Sequence, residues 1–216
     1  MLNFGGPISM EAWVQPANPN QNLGDILAKG YDQSINSSEI SLRLTGGKYE
    51  GTTYSDSAGG KGASGGKPTT DWAHVVATFD SGNWKIYVNG QLLGQGADTV
   101  GAINFTTPWQ IGRGSANGAN RMFVGNITEV ALYNYGLSSN QILNHFFIGE
   151  LGVSPNSAPP IIVTQPESQA SYVGGSATFT VGAVSGLPTT NQWYKGQQSH
   201  HWPNQCDIDF GQFTAR

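Results

Sequence analysis

"DWAHVVATFDSGNWKIYVNGQLLG", residues 71–94, reads as strand, short turn, strand, tight turn. His74 to Phe79 is a run of β-branched and aromatic residues, Ser81-Gly82-Asn83 carries turn chemistry, and Trp84 to Val88 alternates again. Asn89-Gly90 is the strongest short hairpin signal, because a type I′ turn needs positive φ at both central residues. No acid, base or nucleophile in this ribbon is placed for chemistry, so it is either scaffold or a binding surface.

Working outward, strands recur at regular spacing. "ISMEAWVQP" (8–16) alternates, with Met10, Ala12 and Val14 on one face and Glu11 and Trp13 on the other. "DILAKGY" and "EISLRL" follow, then a polar stretch from 45 to 70 with one strand expected near Tyr49–Tyr54 and a loop, Gly59–Gly66, expected to be too flexible to pack. "PWQIGRG", the Gly/Asn loop "GSANGAN" and "FVGNITEVALYNYGL" come after the ribbon. One short helix is expected in "SSNQILNHFFIG", capped by Ser138, with Ile142, Leu143 and Phe146 on one face. A Pro/Ser linker at 152–160 closes the first domain, 1–151. Three further strands are expected over 161–196, and 197–216 is an atypical tail.

Composition narrows the class. Thirty glycines, eleven prolines and only 11% charged residues in 216 point to an all-β, turn-dense chain, and 38% hydrophobic content is enough for a core. A net charge of −4 leaves no basic footprint for nucleic acid. No apolar run is long enough for a membrane span. The one cysteine, Cys206, has no internal disulfide partner.

"ISMEAWVQP", "ILAKG", the ribbon, "IGRG" and "FVGNITEVALYNYGLSSNQI" together resemble a laminin-G-like domain of the concanavalin A-like lectin/glucanase superfamily, over residues 2 to about 149. The resemblance implies an antiparallel jelly-roll β-sandwich with one short helix, from a large secreted or cell-surface bacterial protein. The family's usual first strand, an aspartate-rich segment ahead of "LNFGG", is absent, so a neighbouring edge is expected to be exposed and self-association through strand edges to be open. Residues 161–196 resemble the first strands of a bacterial immunoglobulin-like domain, incomplete here, with Trp193 in the core-tryptophan place and Phe179 where relatives carry a cysteine.

This fold hosts lectins, adhesion modules and glycosidases, so function has to be read from a site. Trp13, Trp72, Trp109 and Tyr87 lie in the fold-defining blocks and are read as core. Trp84, beside a turn, and Tyr31, Tyr49 and Tyr54, in or near polar loops, are read as surface rings for stacking on sugars. Asn117, Asn120 and Arg121 would add hydrogen bonds from the loop rim. The leading reading is therefore a carbohydrate-binding or adhesion module for a polysaccharide or oligosaccharide.

The superfamily's glycosidases carry a Glu-x-Asp-x-x-Glu run, which this chain lacks. The alternative is a retaining glycoside hydrolase for xylan- or glucan-type oligosaccharides, with Glu11 and Glu129 on neighbouring strands and approaching about 5 Å. A structural spacer is the third reading. Calcium is common in the family near a "G-x-I-D-E-V" segment. Here the segment reads "GNITEV", with Thr128 in the aspartate's place, and Asp25, Asp32 and Asp56 form no calcium loop. No cofactor is expected, and a structural calcium is the one exception left open.

Overall fold

The structure is a computed structural model; it describes residues 3–32, 36–55, 59–98, 100–104, 106–114, 121–172, 175–190, 193–195, 198–200 and 207–209. The chain divides into two compact units, Met1–Phe146 and Phe147–Arg216.

The first unit is a sandwich of two five-stranded antiparallel sheets. One is ordered β10 (Gly125–Tyr133), β1 (Ile8–Pro16), β6 (Ala73–Asp80), β7 (Asn83–Val88), β8 (Gln91–Ala97). The other is β5 (Gly59–Gly65), β4 (Lys48–Ser55), β3 (Asn36–Thr45), β2 (Gly24–Asp32), β9 (Trp109–Ile111). Period-2 alternation builds the core: Met10, Ala12 and Val14 of β1, Ile40, Leu42 and Leu44 of β3, and Trp84, Ile86 and Val88 of β7 all point inward.

The opening ribbon folds as read. Ser81-Gly82 and Asn89-Gly90 both take positive φ at two consecutive residues (49° and 76° in each case), the signature of a type I′ turn that matches strand twist. Gly46-Gly47 makes a third such turn between β3 and β4.

Residues 59–65 are not the unpacked loop expected from their glycines. They form β5, paired with β4 from Tyr49↔Gly65 to Ser55↔Gly59. Glycine serves close packing here: Gly94 and Gly96 of β8 lie directly on the carbonyls of Ser64 and Gly62, and Gly65 on that of Leu93. The edges of the two sheets therefore meet backbone to backbone, with no room for a Cβ. At the opposite side β10 is an edge strand, interrupted by a bulge where the register with β1 slips between Glu11 and Trp13.

The helix α1 (Ser139–Leu151) starts as read, at Ser138. Ser138 Oγ accepts from the Gln141 amide and Gln141 Oε1 accepts from the Ser138 amide, a reciprocal capping box. Ile142 and Phe146 are buried, and Leu143 is half-buried. In the second unit, β11 (Ile161–Thr164) pairs with β13 (Gly182–Val184), β12 (Thr178–Thr180) with β16 (Asp207–Asp209), and β14 (Trp193–Lys195) with β15 (Gln198–His200). Four strands fall within 161–196, one more than the three expected, and the tail contributes two more.

Candidate functional site

Each sheet carries a polar cluster on its outer face. On β3 the alternation that sends Ile40, Leu42 and Leu44 inward sends Glu39, Ser41 and Arg43 outward, and on β4 it sends Glu50, Thr52 and Tyr54 outward. Register sets them side by side as Glu39↔Tyr54, Ser41↔Thr52 and Arg43↔Glu50, with Gly62 and Gly60 of β5 next to Thr52 and Tyr54. Because those glycines have no side chains, the face stays open as a cleft of about 630 Å³, walled by Leu23, Lys61 and Arg121. Tyr54 stands at its rim, 38% exposed, with its ring beside Gly60.

The cleft floor is a charge lattice. Arg121 forks Glu39 through both terminal nitrogens, at 2.6 and 2.7 Å. Arg43 donates to Glu39 Oε1 at 2.7 Å and to Glu50 Oε2 at 3.0 Å. Planar bidentate pairing fixes both guanidinium and carboxylate in orientation. Arg121 also brings Nε to 3.2 Å from Asp25 Oδ2, close enough for attraction but not aligned as a hydrogen bond. Asp25 is fully buried. Burial pushes its carboxyl up to about 7, Glu39 and Glu50 push the same way, and Arg121 and Arg43 only partly oppose them.

The second cluster surrounds Glu11. Its Oε1 lies 2.6 Å from His74 Nε2 and 3.0 Å from His145 Nδ1, while Oε2 accepts from the Tyr133 hydroxyl at 2.9 Å. Burial works against its charge. The His74 hydrogen bond and charge, the Tyr133 hydroxyl and the His145 charge outweigh that, and the carboxyl is held below its usual range. The same contact, with burial leading, pushes Tyr133 up to about 12. Trp13 stacks on Phe146 with ring centroids 5.9 Å apart, sealing one side. With His145 and Phe146 coming from α1, this cluster docks the helix on its sheet.

Of the residues expected from sequence, the cleft brings together Tyr54 and Arg121. Three rings lie on the opposite side from the one expected. Trp84 is fully buried, donating Nε1 to the Val100 carbonyl at 3.1 Å, because its strand parity is that of Ile86. Tyr49 is buried because it shares a face with Gly51 and Thr53, opposite to Tyr54. Conversely Trp72, expected in the core, is 43% exposed just ahead of β6, whereas Trp13 and Tyr87 are buried as read. Trp109 is partly buried against the core.

Tyr31 lies on β2 with its side chain outside the described residues, and Asn117 and Asn120 lie outside them too. Glu129 is exposed on the β10 bulge at φ 51°, and Glu11 finds its partners elsewhere. Glu39, Arg43, Glu50, Thr52 and Lys61 were missed. For Glu39, Arg43, Glu50 and Thr52 the signal is the polar half of the alternation in "EISLRL" and "KYEGTTY"; Lys61 lies in the glycine-rich stretch that reads as a loop.

The family model described as concanavalin A-like lectin/glucanases, a laminin-G model, matches residues 1–143. The chain belongs to this superfamily. Domain 4 of an extracellular GH43 arabinanase from Geobacillus stearothermophilus, in complex with arabinotriose, is 20% identical with a TM-score of 0.51, over 65% of this chain and 66% of that one. A heptameric SAP-like pentraxin from Limulus polyphemus is 16% identical, with a TM-score of 0.50 over 67% and 72%. The CBM40 of a Ruminococcus gnavus IT-sialidase, bound to α2,3-sialyllactose, is 11% identical, with a TM-score of 0.52 over 65% and 82%. These likenesses show the fold of this concanavalin A-like chain, which spans just under two thirds of the arabinanase domain. No curated protein sequence matches it. Among the described residues, no helix is long and apolar enough to cross a membrane.

Proposed function

We propose that the first unit is a non-catalytic carbohydrate-binding module, and that the cleft on the outer face of β3–β5 is where it holds glycan. The cleft carries this reading: an exposed tyrosine ring stands over a groove whose floor is an oriented Glu39–Arg121, Glu39–Arg43, Glu50–Arg43 lattice. A sugar's C–H face stacks on Tyr54, while paired hydroxyls donate to the carboxylates and accept from the guanidiniums. Structurally similar domains that hold arabinotriose and α2,3-sialyllactose support a sugar partner. The reading also places the chain in a secreted or surface protein, where such a module would bring its parent to polysaccharide.

A pull-down on insoluble arabinan, xylan and β-glucan, with reducing-sugar release followed in the same tubes, tests this. Retention without release is expected. Tyr54→Ala is expected to weaken retention about tenfold, the loss of one stacking contact, while Trp72→Ala leaves it unchanged. Sugar release abolished by Glu11→Gln or Glu129→Gln in folded protein would overturn the reading in favour of a hydrolase.

A further inference from the structure

Behind the cleft wall lies a carboxylate that sugar binding does not use. Asp25 sits on β2 opposite Arg43, fully buried, and neither of its oxygens accepts a hydrogen bond from a described residue. Gly114 seals it from above: a Cβ there would stand 2.6 Å from Oδ2. The charged groups facing Asp25 are Arg121, Glu39 and Arg43 of β3, and Glu50 of β4. Arg113, beside Gly114, instead donates Nε to the Gly114 carbonyl at 3.4 Å. Arg121 therefore spans two carboxylates, Asp25 sealed inside and Glu39 at the cleft. With Asp25 protonated, two guanidiniums balance two carboxylates. With Asp25 ionised, three carboxylates share two guanidiniums in a space that solvates them poorly.

We propose that Asp25 is a proton-controlled switch for the cleft: protonated, it leaves Arg121 committed to the Glu39 fork, and ionised, it draws the guanidinium away and loosens the cleft wall. The expected consequence for binding rests on the reading of this cleft as the glycan site. Glycan lying over the cleft excludes the water that still reaches Arg43 and Glu50, which favours the charge-balanced, protonated state. Binding then takes up a proton, and affinity falls as pH rises, by at most about tenfold per pH unit.

The test uses the full chain and two readouts. The first follows the Arg121 Nε–Hε and Asp25 carboxyl-carbon NMR signals from pH 5 to 9 without ligand. Both are expected to titrate with one shared midpoint near neutrality, and the Arg121 signal to stay still in Asp25→Asn. An Arg121 signal that does not move, or moves at a different midpoint from the Asp25 carbon, overturns the switch. The wild-type comparison decides this even if the variant does not fold. The second readout is the affinity for arabinotriose, xylotriose and laminaritriose at pH 6 and 8. A several-fold loss at pH 8 in the wild type, absent in Asp25→Asn, supports the coupling, and equal loss in both overturns it. Should no trisaccharide bind at either pH, the glycan reading fails while the NMR titration still decides the switch.

Discussion

Glu11 and Asp25 are both buried carboxylates, and their surroundings push them in opposite directions. Three donors converge on Glu11, so its folded carboxyl gives up its proton more readily than the unfolded chain's, whose ordinary value is 4.5. Its stabilisation is fully present above about pH 4.5 and is lost as pH falls through the lowered value. Asp25 works the other way: between 3.8 and about 7 the folded state keeps a proton that the unfolded state releases, so its contribution declines as pH rises across that window. Chemical denaturation across pH checks both. Glu11→Gln is expected to cost about 3 kcal/mol at pH 7, since it leaves donors facing an uncharged amide, and to flatten the acid limb. Asp25→Asn is expected to gain on the wild type between pH 4 and 8, by about 4 kcal/mol at the upper end. Neither role was legible in the sequence. Glu11 was singled out for its strand, but its partners His74 and His145 lie 63 and 134 residues away. For Trp84 and Tyr49 the information was present in strand parity, which outranks closeness to a turn.

At the scale of elements, turns and alternation were legible because they are local. Asn89-Gly90, the Ser138 cap and the inward face of β1 all formed where local chemistry placed them. The β5 strand was not, because its glycines look like a linker until β8 is set beside them. Gly94→Ala would drive a methyl into the Ser64 carbonyl and Ile86. It is expected to cost about 2 kcal/mol or more by overpacking and, by parting the two edges, to promote aggregation measurable by light scattering. Gly90→Ala forces a side chain into φ 76° against Leu143 of α1, and a loss of about 1–2 kcal/mol is expected in thermal unfolding.

On the scale of the whole molecule, the cleft is a product of register. Arg121 reaches Glu39 across 82 residues, and β3, β4 and β5 must pair in one register for Tyr54, Thr52 and the β5 glycines to share a face. A sequence read strand by strand yields the fold class and two of the cleft residues, and only the assembled sheet yields the rest. Chemical-shift mapping of the full chain with arabinotriose, xylotriose and laminaritriose tests the cleft most directly. The amides of Thr52, Gly60 and Gly62 and the Arg121 side chain are predicted to move together on binding. Shifts gathered instead around Trp72 or Glu129, with the β3–β5 face silent, would contradict the account.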